Sequence, residues 1–243
     1  TCFTDAIKKD PLFAMAYAYR AFCHRSKEDF VNDTREALKQ IHRVNSLEEV
    51  FILINETYIT GDEQLRLRLA ERLTEIAPEN ARTWIKLGLV LQESDKVNEA
   101  RRTFEKAEVL APEWAGIYTI LGESYLNYKP VSIEKGLEYY SKAAAMQPGI
   151  ARIHISLGDI YTAMNEKKLA SQEYQKAITE HPESWTDYLR NGYARTCLED
   201  FEEARLDYQT ARALSEANDV GLIMEALTYA YEGYPEECLQ WLK

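Results

Sequence analysis

The chain has 243 residues, a net charge of −11 and 46% apolar residues, an ordinary balance for a folded soluble protein. The acidity and the lack of a basic stripe argue against nucleic acid and acidic membrane surfaces as partners, and no apolar run approaches a membrane span. Cys2, Cys23, Cys197 and Cys238 are spaced for neither a disulfide framework nor a zinc site.

Phe3, Ala6 and Pro11 carry the spacing that ends a helical unit further along the chain. They predict an orphan second helix over 1–11 and a chain cut from a longer protein. Residues 12–46 predict a degenerate helix pair. Leu12 to His24 is its first helix, with Tyr17 in a large-aromatic slot and Ala21 in a small-residue slot; Asp33 to Val44 is the second, through Ala37, Leu38 and Ile41. Residues 47–80 predict another. Leu47 to Ile59 presents Val50, Leu53 and Ile54, Gly61-Asp62 marks the turn, Leu65 to Ile76 follows, and Pro78 closes the unit.

From residue 81 the pattern sharpens. Trp84, Leu87, Gly88 and Leu91 fall at i, i+3, i+4 and i+7, one face of a first helix. Ala100, Phe104 and Ala107 form the facing stripe of a second, and Pro112 ends it. Gly88 and Ala100 are small, so the two axes can approach closely. The same spacing returns in Tyr118, Leu121-Gly122, Tyr125, Gly136, Tyr140, Ala143 and Pro148. It returns again in His154, Leu157-Gly158, Tyr161, Ala170, Tyr174, Ala177 and Pro182. A fourth unit has Tyr188, Asn191-Gly192, Arg195, Ala204, Tyr208 and Ala211, with Glu216 in place of the proline. Pro78, Pro112, Pro148 and Pro182 are separated by 34, 36 and 34 residues. The units are therefore 81–114, 115–150, 151–184 and 185–218.

Two details depart from the pattern. Tyr128 to Ser132 holds two extra residues, with Ser132 placed to cap the next helix. Asn191 and Arg195 set polar groups on a packing stripe, so they need partners: an acidic residue of the adjacent unit, or a ligand reaching in from a groove. Residues 219–243 begin a further repeat. It has Leu222, Ala226 and Tyr229, a turn at Gly233-Tyr234-Pro235, then Cys238, Trp241 and Leu242. The last residues are expected to fray, to pack on another molecule, or to continue in a longer protein.

This arrangement, W-x2-L-G-x2-Y, A-x3-F, then Pro, resembles the tetratricopeptide-repeat family. The resemblance implies an all-α fold: a single right-handed α-solenoid of antiparallel helix pairs over 1–243, a tetratricopeptide-repeat superhelix. It also implies a non-catalytic scaffold whose first helices line a concave groove for a peptide or protein segment. Residues one step off the packing stripe would face that groove: Ile85, Leu89 and Gln92; Thr119, Glu123 and Asn127; Arg152, Ile155 and Asp159; Leu189 and Tyr193; Ile223 and Leu227. Their mix of apolar and acidic side chains points to a protein or peptide with apolar anchors and basic residues. Chaperone-binding relatives grip a terminal carboxylate with paired lysine and asparagine. Here the lysine slots hold Ile85, Thr119, Ile155 and Leu189, and the asparagine slots hold Leu89, Glu123, Asp159 and Tyr193, so that clamp is not expected.

Catalytic, metal and cofactor sites are not expected. His154 shares the slot of Trp84, a core position, and adjacent Cys23 and His24 point about 100° apart on a helix. No HExxH, GxxxxGK[ST] or GxGxxG occurs. The absence of a visible signal or membrane segment suggests the cytoplasm. Two other readings stay open: self-association through the end repeats, and a regulatory segment of a larger signalling or transcriptional protein.

Overall fold

The computed structural model describes residues 2–23, 26–179, 181–215 and 219–241. Among them lie fifteen α-helices and one 3-10 turn, with no strand. The contacts divide the chain into two compact units, 1–117 and 118–243.

Unit 1 holds α1 (Cys2–Lys9), α2 (Ala14–Ala21), α3 (Lys27–Lys39), the 3-10 turn (Ile41–Arg43), α4 (Ser46–Thr60), α5 (Glu63–Ile76), α6 (Ala81–Glu93) and α7 (Val97–Leu110), and ends within α8 (Ala115–Asn127). Helix α2 packs on α3, α4 on α5 and α6 on α7, which are the expected hairpins. Helix α3 starts at Lys27, well before the expected Asp33. The Ser26 hydroxyl accepts the Glu28 and Asp29 N–H groups, and those two acids sit in the positive first turn. The first helix of this pair is shorter than expected, and His24 lies outside the described residues. Asn45 and Glu48 form a reciprocal cap on α4, and Asp62 caps α5.

Unit 2 continues with α9 (Ile133–Met146), α10 (Ala151–Ala163), α11 (Lys167–Ala177), α12 (Trp185–Cys197), α13 (Phe201–Ala213), α14 (Asp219–Glu232) and α15 (Pro235–Trp241). Ser132 caps α9 by accepting the Lys135 N–H. The slots of Glu216 and Leu242 lie outside the described residues.

One steric rule shapes the regular hairpins. A Cβ on Gly88 would lie 2.2 Å from the Phe104 ring, and one on Gly158 would lie 2.5 Å from Tyr174. Gly122 meets Tyr140 and Gly192 meets Tyr208 in the same way. Each ring fills the space its partner glycine vacates, and Phe104 and Tyr208 are fully buried. The hairpin α4–α5 inverts the rule. In the same register Ile54 occupies the glycine slot and Ala70 the ring slot, both fully buried. The bulk has crossed from the second helix to the first.

The turns repeat as strictly as the core. Gly61 has φ 76°, Asp95 59°, Asn165 61°, Glu199 64° and Gly233 104°. Each is the left-handed residue between the two helices of its hairpin, a conformation that favours glycine and is strained for Glu199.

The equivalence of Trp84 and His154 is visible in hydrogen bonds. The Trp84 indole N–H donates to the Pro78 carbonyl at 2.6 Å, and His154 Nε2 lies 2.8 Å from the Pro148 carbonyl. His154 is 4% exposed, a core residue as its slot implies. Its Nδ1 faces a Glu173 oxygen at 2.7 Å. Both ring nitrogens therefore have a hydrogen-bond partner. Burial alone would raise the Glu173 carboxyl, but hydrogen bonds from Lys176 and His154 outweigh it and hold the group below its usual range.

Asn191 and Arg195 both find protein partners. Helix α11 stops at Ala177, and Ile178 turns extended. Asn191 accepts the Thr179 N–H at 2.8 Å and donates to the Thr179 carbonyl at 2.9 Å, which pins the released strand of chain. Arg195 pairs with Asp207 at 2.6 Å. Asp207 belongs to the same hairpin, not to the adjacent unit as the sequence suggested.

Candidate binding surfaces

In unit 2 the expected groove residues take several environments. Asp159 is exposed, and its Oδ1 accepts from Tyr174 at 2.7 Å and from Tyr193 at 2.9 Å. Burial first, and negative neighbours including Asp159 next, push both phenols well above the ordinary tyrosine range. Ile155 and Tyr193 are half-buried against the cluster of Ala170, Tyr174, Ala177 and Ala194, so part of their surface is spent on packing. Leu189 and Leu227 are half-buried, while Arg152 and Ile223 are exposed. Thr119 is buried at 7% exposure. A cavity of about 430 Å³ brings Glu123, Asn127 and Asp159 together with Leu126, Val131, Ile133 and Ile160. Two carboxylates beside aliphatic walls suit a cationic side chain with an apolar neighbour.

In unit 1 the expected residues form less of a site. Ile85 is buried, Leu89 is exposed, and the side-chain oxygen of Gln92 is buried without a hydrogen-bond partner. The chemistry lies instead in rings that sequence reasoning passed over. Phe22, Phe30 and Tyr58 meet edge-on with centroids 5.5 to 6.3 Å apart. Tyr19 lies 4.9 Å from Phe51 and 5.7 Å from Phe3. The Lys86 ammonium sits 4.7 Å from the Phe22 ring, 5.3 Å from Tyr58 and 5.6 Å from Phe51. Beside it, Tyr58 donates to Glu93 at 2.9 Å, and Arg66 lies 3.9 Å over the Tyr58 ring and 3.3 Å from Glu93. A cavity of about 370 Å³ opens here, lined by Phe13, Met15, Tyr19, Phe51, Arg82 and Lys86 among others. These residues come from α2, α4 and α6, the first helices of three successive hairpins, and from Phe13 ahead of α2. Carrying the 34-residue register back from α6 would have found Phe51 and Tyr58, which occupy the slots of Ile85 and Gln92.

Among the described residues, no group of three or more His, Cys, Asp or Glu side chains could hold a metal ion. No helix among them is long and apolar enough to cross a membrane. The four cysteines are free thiols.

The comparisons with known proteins agree with this architecture. The tetratricopeptide-repeat family model matches residues 151–183. The anaphase-promoting complex subunit CDC16 of Saccharomyces cerevisiae is 28% identical over 106 residues, 44% of this chain. The match spans only 12% of that protein's length. TTC0263, a thermophilic tetratricopeptide-repeat protein of Thermus thermophilus, aligns with a TM-score of 0.58 at 18% identity, covering 76% of this chain and all of that one. Yeast Tom70 aligns with a TM-score of 0.66 at 15% identity, covering 99% of this chain and 52% of Tom70. Likeness at these identities concerns the fold alone. Repeats of this kind generally mediate protein–protein interactions. With the match at 151–183, the glycine–ring hairpins and their recurring turns, the chain carries a tetratricopeptide repeat at 151–183 and shares the helical-hairpin fold of tetratricopeptide-repeat structures.

Proposed function

We propose that this chain is a non-catalytic scaffold, one solenoid over 1–243, that receives a protein or peptide segment on its first helices. The observation that carries the reading is the unit 2 cavity in which Glu123 and Asp159 meet aliphatic walls. A lysine or arginine of the partner would sit between the carboxylates, with apolar anchors on Ile155 and Leu189. The four free thiols are in keeping with a reducing compartment, and the cytoplasm is the proposed location.

The test uses capped peptides selected from a displayed library and measured by fluorescence anisotropy. Selected sequences should pair Lys or Arg with an aliphatic or aromatic residue. Ile155→Asp with Leu189→Asp should abolish their binding while circular dichroism stays helical. Binding that survives both changes would show that the segment docks elsewhere.

A further inference from the structure

We propose that unit 1 carries a second and chemically opposite site, on the face of α2, α4 and α6, for an internal peptide segment presenting an apolar side chain beside an aspartate or glutamate. The Lys86 ammonium is ringed by Phe22, Phe51 and Tyr58, and among the described residues no carboxylate comes within ion-pair distance of it. The rings supply cation–π attraction but no lone pair to accept its protons. Burial pushes the lysine down to about 8; Glu93 pulls it up and Arg66 pushes it further down. Glu93 itself is held by Tyr58 and Arg66. Glu48, an acid lining the cavity, is engaged by the Asn45 N–H in the α4 cap. Arg82, exposed on the same wall, adds a second cation.

An incoming carboxylate would therefore meet two cations and give Lys86 the acceptor it lacks, whereas a basic side chain would meet like charge. The apolar part of the ligand has its own surface. Phe13 is 45% exposed, Phe22 47% and Tyr19 37%, a density of exposed rings that single scattered residues do not produce. Apolar surface extends past the cavity at Phe22 and Tyr58 as well as inside it at Phe13 and Tyr19. Chain on both sides of the carboxylate would thus be covered, which fits a side chain within a segment and not a chain terminus. The site shares no residue with the acidic cavity of unit 2 and stands or falls separately from it.

The experiment selects N-acetylated, C-amidated peptides of about twelve residues against the whole chain carrying Ile155→Asp and Leu189→Asp. The expected result is enrichment of Asp or Glu within one helical turn of Phe, Trp or Leu. Lys86→Met, which keeps the aliphatic stem, should weaken the best peptide about tenfold. Replacing the peptide's acid by its amide should weaken it equally, and the two changes together should cost little more than either alone. Arg82→Gln, at an exposed position, should give a smaller loss and serves as the variant of choice if Lys86→Met does not fold. The proposal is overturned if no acidic peptide is enriched, if Lys86→Met and Arg82→Gln leave affinity intact, or if a free C-terminus proves necessary.

Discussion

Unit 2 keeps the glycine–ring rule in each hairpin up to α13 and is acidic at one cavity; unit 1 keeps it in α6–α7, inverts it in α4–α5, and is cationic at one cavity. In unit 2 every hairpin up to α13 sets a glycine against a tyrosine ring, and the carboxylates of Glu123 and Asp159 share one cavity. In unit 1 the α4–α5 hairpin sets Ile54 against the small Ala70, and the cavity gathers Lys86, Arg82 and several rings. The difference shows that the repeat pattern constrains volume across the hairpin axis and little else. Any filling that conserves that volume keeps the helix pair, and the next stripe of each first helix is free to carry either sign of charge.

The largest effect should come from breaking that volume rule. Gly158→Leu drives a side chain into the Tyr174 ring and should cost about 3 kcal/mol in chemical denaturation. Ile54→Gly should cost a similar amount by leaving a void, and Ala70→Phe about 2 kcal/mol by overfilling. The double change Ile54→Gly with Ala70→Phe rebuilds the arrangement of Gly88 and Phe104, so its cost should fall short of the sum by more than about 1 kcal/mol. Strict additivity would mean that the two positions do not share one space.

A middle-sized effect separates the regular α9 from the shortened α11. Asn191→Leu restores the residue type of Leu121 and Leu157 but strands the Thr179 N–H and carbonyl. It should cost about 2 kcal/mol, with faster hydrogen exchange at Thr179. Unchanged exchange there would show that the chain after Ala177 holds itself. The smallest effect concerns the turns. Glu199→Gly relieves a left-handed non-glycine residue and should stabilise by about 0.5 to 1 kcal/mol in the same denaturation assay. Gly61 and Gly233 already hold the favourable residue in that slot.

The regular hairpins are legible because their signal is steric. Gly88 and Phe104, or Gly158 and Tyr174, must be small and large at fixed spacing, and spacing is what a sequence displays. The Ser132 cap is legible for a similar local reason. The Ser26 cap is equally local, but it precedes no clear apolar period, so the expected start of α3 falls too late. Glu199 hides its left-handed backbone because nothing in a glutamate announces it, whereas Asp95 and Asn165 are residue types that adopt that conformation more readily. The partner of Arg195 is missed because Asp207 lies on the packed second helix, where an acid is not expected. The Lys86 surroundings are the least legible. Phe22, Phe51 and Tyr58 come from hairpins whose inner stripe is degenerate, and only packing shows that their rings converge on one ammonium.

The bonds from Trp84 to Pro78 and from His154 to Pro148 have a consequence for how such a chain can change length. Each one clips the start of a hairpin to the residue that closed the previous one; α5 ends at Ile76 and α9 at Met146, so neither proline carbonyl is claimed by a continuing helix. Excising a complete period carries one clip away whole and lets its neighbours meet in phase. Removing a few residues more or fewer would aim an indole or an imidazole at empty solvent. Evolutionary gain and loss in such a chain is thereby quantised, one hairpin at a time.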